Sequence, residues 1–305
     1  MRPVHVVGLR PSRDLCGTTE DQFADLLIRL APLAQERLDR LADRPDRQRA
    51  PGAGRKRRPF WVRLLVALTH LRQGSTVRAT GDVFGVHEKT VRRYRDEIEE
   101  LLVEHGFVPP GAAGPIRTLD ELADYLTALA ESDGEEAVVV DGTEVARCRP
   151  YPWDEQKKAY SGKSKTHVVK ATVVSNRSRR PLWVEANPTG EGRTFDVMML
   201  RHQTALMAAL AVLVAAGIIV IADKGFRGLG QDLGADSVLM PKRKPSGADY
   251  PPETRAFNKA VSQQRMPVEH AIGRMKWWKA MRYWRRHPHH FDRTAKAIGV
   301  LATFS

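Results

Sequence analysis

Cysteine is nearly absent from this chain: Cys16 and Cys148 are the only two in 305 residues, and they fall in no metal-binding or redox spacing. A thiol-ligated zinc site and a CxxC centre are therefore excluded, and the composition suits a reducing cytosol. The first thirteen residues hold no apolar core of signal-peptide length. Long uncharged runs are equally scarce. Residues 205 to 222 carry no charge and only reach the lower limit for a membrane span, about 18 residues. Within that run Ala, Leu and Met dominate up to Ala216, Gly217 interrupts, and Ile218-Ile219-Val220-Ile221 follows. This reads as a buried helix, a glycine stop and a central strand, so a soluble cytoplasmic protein is expected. Acidic residues are in deficit too, with Asp+Glu 36 against Lys+Arg 49, a formal net charge of +13 and a pI near 10.0. The natural partner of such a chain is a polyanion, not a membrane or a small-molecule substrate.

The length allows about two ordinary domains. Residues 1 to 115 are expected to be all-helical. Phe23, Leu26, Leu27, Leu30, Leu33, Ala34 and Leu38 recur at helical spacing, with Thr19 as a candidate cap and Pro32 expected to kink or divide the helix. A polar linker rich in Pro, Gly and Arg follows and holds the basic run Arg55-Lys56-Arg57-Arg58. Trp61, Leu64, Leu65, Leu68 and Leu71 then form a core stripe over residues 60 to 73. Residues 77 to 84, a Gly85-Val86 turn and a helix over about residues 87 to 104 make a helix-turn-helix within a module of about residues 60 to 105. Its second helix carries Lys89, Thr90, Arg92, Arg93 and Arg95. Such a helix enters the major groove with residues near its amino end toward base edges. Between Arg55 and Arg95 the only acids are Asp82 and Glu88, a bias that favours DNA over a merely solvated face. Arg57 and Arg58 are candidates for phosphate contact. The charge reverses in Asp96-Glu97-Ile98-Glu99-Glu100, where the helix is expected to leave the phosphates and pack or lie in solvent.

A second, catalytic domain is expected over residues 133 to 305. Its pattern is strand (137–141), strand (166–175), strand (181–186), helix (196–216), strand (218–222), short strand (237–240) and a long helix around 255–283. This order identifies α/β architecture. Three acids stand out. Asp141 follows Ala137-Val138-Val139-Val140, Asp223 follows Ile218-Ile219-Val220-Ile221-Ala222, and Glu269 lies in Arg265-Met266-Pro267-Val268-Glu269. Two strands ending in carboxylates and a helix presenting a third are what a polynucleotidyl transferase needs to hold two divalent cations on an in-line displacement. Mg²⁺ suits hard oxygen ligands of this kind. Asp196 is read as a helix N-cap, and Glu144 as an outward strand or turn position. Lys163 and Lys165 are candidates for phosphate contact, with a solvated hairpin as the alternative. At least one of Trp277 and Trp278 is expected to pack the long helix onto the sheet, and His287, His289 and His290 lie in a basic tract that favours DNA over metal.

The segments Asp141-Gly142-Thr143-Glu144, residues 160 to 167, Ala222-Asp223-Lys224-Gly225-Phe226-Arg227-Gly228 and residues 265 to 276 resemble the bacterial DDE transposases of insertion-sequence family five, relatives of the Harbinger-type DDE endonucleases. The resemblance covers about residues 137 to 302, and more weakly the DNA-binding region before it. The family's tyrosine, arginine, glutamate and lysine signature is met by Arg265, by Glu269 four residues on and by Lys276 seven further, while Ser262 stands at the tyrosine position. Pro267 requires either that Arg265 precede the helix or that the helix bend. The resemblance implies an RNase H-like catalytic domain, with Asp141, Asp223 and Glu269 as catalytic residues binding Mg²⁺, and Mn²⁺ tolerated. It implies that Lys276 contacts the DNA backbone, that Arg265 orients the site against DNA, and that a homo-oligomer pairs terminal inverted repeats and joins them to target DNA at the nucleoid. Two alternatives stand beside transposition: an RNase H-fold endonuclease without strand transfer, and a transposase-derived DNA-binding regulator.

Overall fold

Helix formation starts where a side chain can satisfy the first free amides. In the computed structural model, which describes residues 9–43, 57–134, 137–244 and 249–304, a short α1 (Arg13–Cys16) ends on Gly17 in the left-handed region. Next, Thr19 Oγ1 accepts from Gln22 N and Gln22 Oε1 accepts from Thr19 N. That capping box opens α2 (Glu20–Ala42), which runs through Pro32 without ending there. Phe23, Leu26, Leu30 and Ala34 form its buried stripe. The chain divides into two compact units, and the helical one, up to His105, also takes in Trp277–Ala280 and Phe304.

In that unit α3 (Phe60–Gln73) buries Leu64, Leu65, Leu68 and Leu71, whereas Trp61, expected with them, lies in the first turn and is exposed. A Thr76 cap starts α4 (Val77–Phe84), Gly85 turns the chain with φ 59°, and α5 (Glu88–His105) follows. Lys89, Arg92 and Arg93 are exposed and Thr90 is half-buried. Arg95 departs from the expectation of a DNA contact: its side chain is buried, with Nη2 2.9 Å from Asp96 Oδ1, because it lies one position beyond buried Tyr94 on the packed side of the helix. The acidic stretch packs as expected. Glu100 and Glu104 pair with Arg37 of α2 at 2.9 and 2.8 Å, and Glu97 pairs with buried Arg63. Of the basic linker run, Arg57 is exposed and Arg58 half-buried, while Arg55 and Lys56 lie outside the described residues.

The second unit begins with α6 (Leu119–Asp133), opened by a second capping box between Thr118 and Glu121. Then come β1 (Ala137–Arg147), α7 (Trp153–Ala159), β2 (Tyr160–Ser161), β3 (Thr166–Ser175), β4 (Pro181–Ala186), α8 (Asp196–His202) and α9 (Thr204–Ala215). The remainder is β5 (Ile219–Ala222), α10 (Leu229–Leu233), β6 (Val238–Leu239), α11 (Pro252–Lys276), β7 (Tyr283–Trp284) and α12 (Phe291–Phe304). β4, β3 and β1 are antiparallel neighbours, and β5 and β6 continue the sheet parallel to β1. This is an RNase H-like α/β sheet, as the sequence resemblance implied. The β-branched run Val138-Val139-Val140 is buried in β1, as befits a central strand covered on both faces.

Three elements depart from the sequence expectation, each for a local reason. β1 does not end at Asp141. It runs on to Arg147 because β3 pairs with it from Val139↔Ser175 to Ala146↔Val168. The expected helix over 196–216 breaks at Gln203, a buried residue whose Nε2 donates to the carbonyls of Glu185 and Ala186 and whose Oε1 accepts from Thr172 Oγ1. α11 stops at Lys276, and Trp278 is buried in the helical unit beside Gly17, not on the sheet. Among the described residues no single helix is long and apolar enough to cross a membrane.

The helix-turn-helix rests on one close approach. A Cβ on Gly81 would stand 2.5 Å from the carbonyl oxygen of Val86, so Gly81→Ala should force the turn apart and cost about 1–3 kcal/mol. Gly273→Ala, where a Cβ meets nothing within 4 Å, should instead gain roughly 0.5–1 kcal/mol of helix stability. Thermal unfolding of the full chain compares them, and an unchanged midpoint for Gly81→Ala would contradict the packing.

Candidate active site

The site is set by strand register. β5 runs parallel to β1 with Val140 opposite Ala222, so Asp141 and Asp223 are the next residues on two neighbouring strands. β5 ends there, and Asp223 caps the short 3-10 turn Lys224–Phe226, its Oδ1 accepting from Gly225 N at 2.6 Å. Asp141 stays in β1, with Oδ1 accepting from Gly142 N at 2.8 Å. Burial, the largest influence, together with neighbouring Asp223, pushes the Asp141 carboxyl above the ordinary range, while Arg265 opposes the rise. The protein thus holds two acids side by side, one largely out of water.

Two glycines clear the space around them. A Cβ on Gly225 would lie 2.7 Å from Asp196 Oδ2 and 2.9 Å from Asp223 Oδ1, and one on Gly142 would lie 2.9 Å from Asp196 Oδ1. Asp196 is therefore not the N-cap of α8 but its first residue, with its carboxylate turned to Gly142 of β1 and to Gly225 in the turn after β5. It is held there by Lys170 of β3, whose Nζ lies 3.2 Å from Asp196 Oδ1, 2.8 Å from the Thr194 carbonyl and 3.3 Å from Glu144 Oε1. Glu144 also accepts from Ser161 Oγ at 2.7 Å. Desolvation acts to raise its carboxyl, yet hydrogen bonds from Ser161 and Ser164 and the Lys170 charge hold it below the usual range. Lys170 was not singled out in the sequence. A lysine in a run of apolar strand residues is the signal, since a buried lysine demands acidic partners.

α11 supplies the other side. Arg265 does not precede the helix, one of the two outcomes expected of Pro267: α11 runs through that proline, so Arg265, Glu269 and Lys276 lie on one helix. Arg265 Nη2 donates to Asp141 Oδ2 at 3.0 Å and lies 3.7 Å from Glu269 Oε1. Glu269 itself is exposed. Lys276 is half-buried, and burial holds its ammonium below the usual lysine range, with Lys163 adding to the effect and Glu144 and Asp141 opposing it. Lys163 and Lys165 are exposed in the turn of the hairpin that pairs Tyr160 with His167.

Hard carboxylate oxygens from Asp141 and Asp223, with the Asp196 carboxylate admitted close by at Gly142 and Gly225, fit a divalent cation. The three acids are not yet gathered: among the described residues no three His, Cys, Asp or Glu side chains form a metal-binding cluster. The Arg265 guanidinium lies within 3.0 Å of Asp141 and 3.7 Å of Glu269.

Comparison with known proteins agrees with this geometry. Residues 62–107 match the helix-turn-helix of DDE superfamily endonuclease. The probable transposase for insertion sequence element IS702 from Microchaete diplosiphon is 26% identical over 224 residues, covering 72% of each chain. No solved structure matches. The DDE superfamily endonuclease model matches residues 140–303. That match starts one residue before Asp141 and takes in more than half of the chain, and the chain therefore belongs to the DDE superfamily endonucleases.

Proposed function

We propose that this protein is a transposase, which cleaves DNA at the ends of an insertion sequence and joins the freed 3′ ends to target DNA. The observation that carries the proposal is the placing of Asp141 and Asp223 on adjacent parallel strands, in a chain that also holds a helix-turn-helix. Asp141, Asp223 and Glu269 would hold the divalent cations that the family uses, with Mg²⁺ as the natural ion and Mn²⁺ as a substitute. Bound there, such ions activate the attacking water or 3′-hydroxyl and stabilise the leaving 3′-oxygen.

The chain's own residues supply the rest. Lys276, half-buried with its charge near Glu144 and Asp141, would hold the scissile strand's backbone, with Lys163 and Lys165 binding phosphate from the exposed turn. Lys170 positions Asp196 and Glu144 around the paired acids. In the helical unit, Lys89, Thr90, Arg92 and Arg93 would face bases and phosphates, and Arg57 and Arg58 the backbone. A homo-oligomer pairing two terminal inverted repeats is part of the proposal, as is an intracellular site of action at the nucleoid. The regulator alternative would have no use for the acids at β1 and β5. Cleavage without transfer uses the same residues, and a 3′-hydroxyl donor offered with target DNA separates it from transposition.

Asp141→Asn, Asp223→Asn and Glu269→Gln should each lower Mg²⁺-dependent cleavage of a terminal-repeat duplex by more than about 100-fold, since even outer partners of a metal site cost 10–100-fold. Duplex binding should stay near wild type. Near-normal cleavage by any one of them removes that residue from the set of ligands. Ca²⁺ should support binding without cutting, because it tolerates looser oxygen geometry, and robust cleavage in EDTA would contradict metal use.

Binding should weaken by about 10³–10⁵ between 50 and 200 mM salt if 6–10 phosphates are contacted. In the full chain, Arg92→Ala or Arg93→Ala should erode preference for the terminal repeat by about 1–3 kcal/mol if bidentate to a base. Arg57→Ala and Arg58→Ala should weaken all duplexes alike. Equal affinity of the wild type for repeat and random duplex would move end recognition away from α5.

A further inference from the structure

We infer that Arg265 is the resident counter-cation of the metal-free site and must withdraw from Asp141 before a divalent cation can bind there. The inference rests on the reading of Asp141 as a metal ligand. Both of that carboxylate's oxygens are engaged: Oδ1 by Gly142 N at 2.8 Å and Oδ2 by Arg265 Nη2 at 3.0 Å. The same Nη2 lies 3.7 Å from Glu269 Oε1. One guanidinium nitrogen thus sits between an acid of β1 and an acid of α11, in the position of a bridging cation. A Mg²⁺ bound to Asp141 would approach to about 2.0–2.1 Å, and two positive charges would then meet at one carboxylate with little water between them.

The hold on Arg265 is made for release. Its side chain is largely buried, yet Nε has no hydrogen-bond acceptor. A guanidinium in a settled structural pair commonly meets a carboxylate through two parallel bonds, whereas here a single nitrogen makes both acidic contacts. Charge holds the group more than hydrogen-bond geometry does. The helix is also loosened beside it, because Pro267 has no N–H to give the preceding turn of α11. Once displaced, the planar fork of donors suits a DNA phosphate. Metal loading and the grip on DNA are thereby linked through one side chain.

The test is Mn²⁺ binding to the full chain without DNA, followed by the electron paramagnetic resonance of free Mn²⁺. Arg265→Gln should bind Mn²⁺ at least about fivefold more tightly than wild type, the lower end of ordinary coupling between two sites, with Arg265→Lys between them. Equal or weaker binding by a folded Arg265→Gln protein would overturn the inference, because the arginine would then be neutral or supportive toward the ion. Asp141→Asn distinguishes the two layers of the argument. If it binds Mn²⁺ as the wild type does, the ligand assignment is wrong and the inference falls with it. If it binds poorly while Arg265→Gln gains nothing, only the inference fails. Should Arg265→Gln not fold, the Arg265 Nε–Hε resonance of the wild-type protein decides. It should shift as Mg²⁺ is added, and a resonance unmoved at saturating Mg²⁺ would refute the displacement.

Discussion

Two carboxylates held side by side at the open end of a parallel strand pair set the terms for everything around them. Asp141 is drawn into low-dielectric surroundings in β1, and burial and neighbouring Asp223 both push its carboxyl above the ordinary range. The neighbourhood answers that charge in layers. Gly142 and Gly225 offer backbone amides and let the Asp196 carboxylate come close, Arg265 offers a positive charge, and Lys170 ties the next two acids, Glu144 and Asp196, into place. The whole resembles a site arranged around a cation, and the Arg265 guanidinium lies beside its acids.

The fold explains why the acids can be brought so close without collapse. Antiparallel pairing of β1 with β3 continues past Asp141, which keeps that residue in extended backbone, while β5 stops at Ala222 and lets Asp223 turn into its cap. The buried valines of β1 and the apolar strand β5 anchor both segments from behind. α11 then crosses with Arg265, Glu269 and Lys276 on one helix, so a counter-charge, an acid and a half-buried lysine are presented by a single element.

Much of this was legible in the residues. Apolar runs closed by aspartate marked the two strands, a glycine turn before a basic helix marked the helix-turn-helix, and Thr19 marked a helix start, whereas the Thr118 capping box that opens α6 was not read from the sequence. What escaped was tertiary. Pattern cannot tell that Gln203 uses its amide to break a helix, that Arg95 turns inward to Asp96, or that Trp278 is buried beside Gly17. The apolar run around Lys170 signals a buried lysine, but spacing does not name its partners, which come from β1 and α8. The spacing put Arg265, Glu269 and Lys276 on one helix only if it ran through Pro267, as it does, and only the geometry shows the Arg265 guanidinium beside both Asp141 and Glu269.

The most direct measurement is anomalous X-ray scattering from crystals of the protein bound to a terminal-repeat duplex and soaked in Mn²⁺. The account predicts a manganese peak shared by the Asp141 and Asp223 carboxylates, with Glu269 drawn toward it. Manganese at a position that touches neither aspartate, in crystals whose DNA is cut, would contradict it.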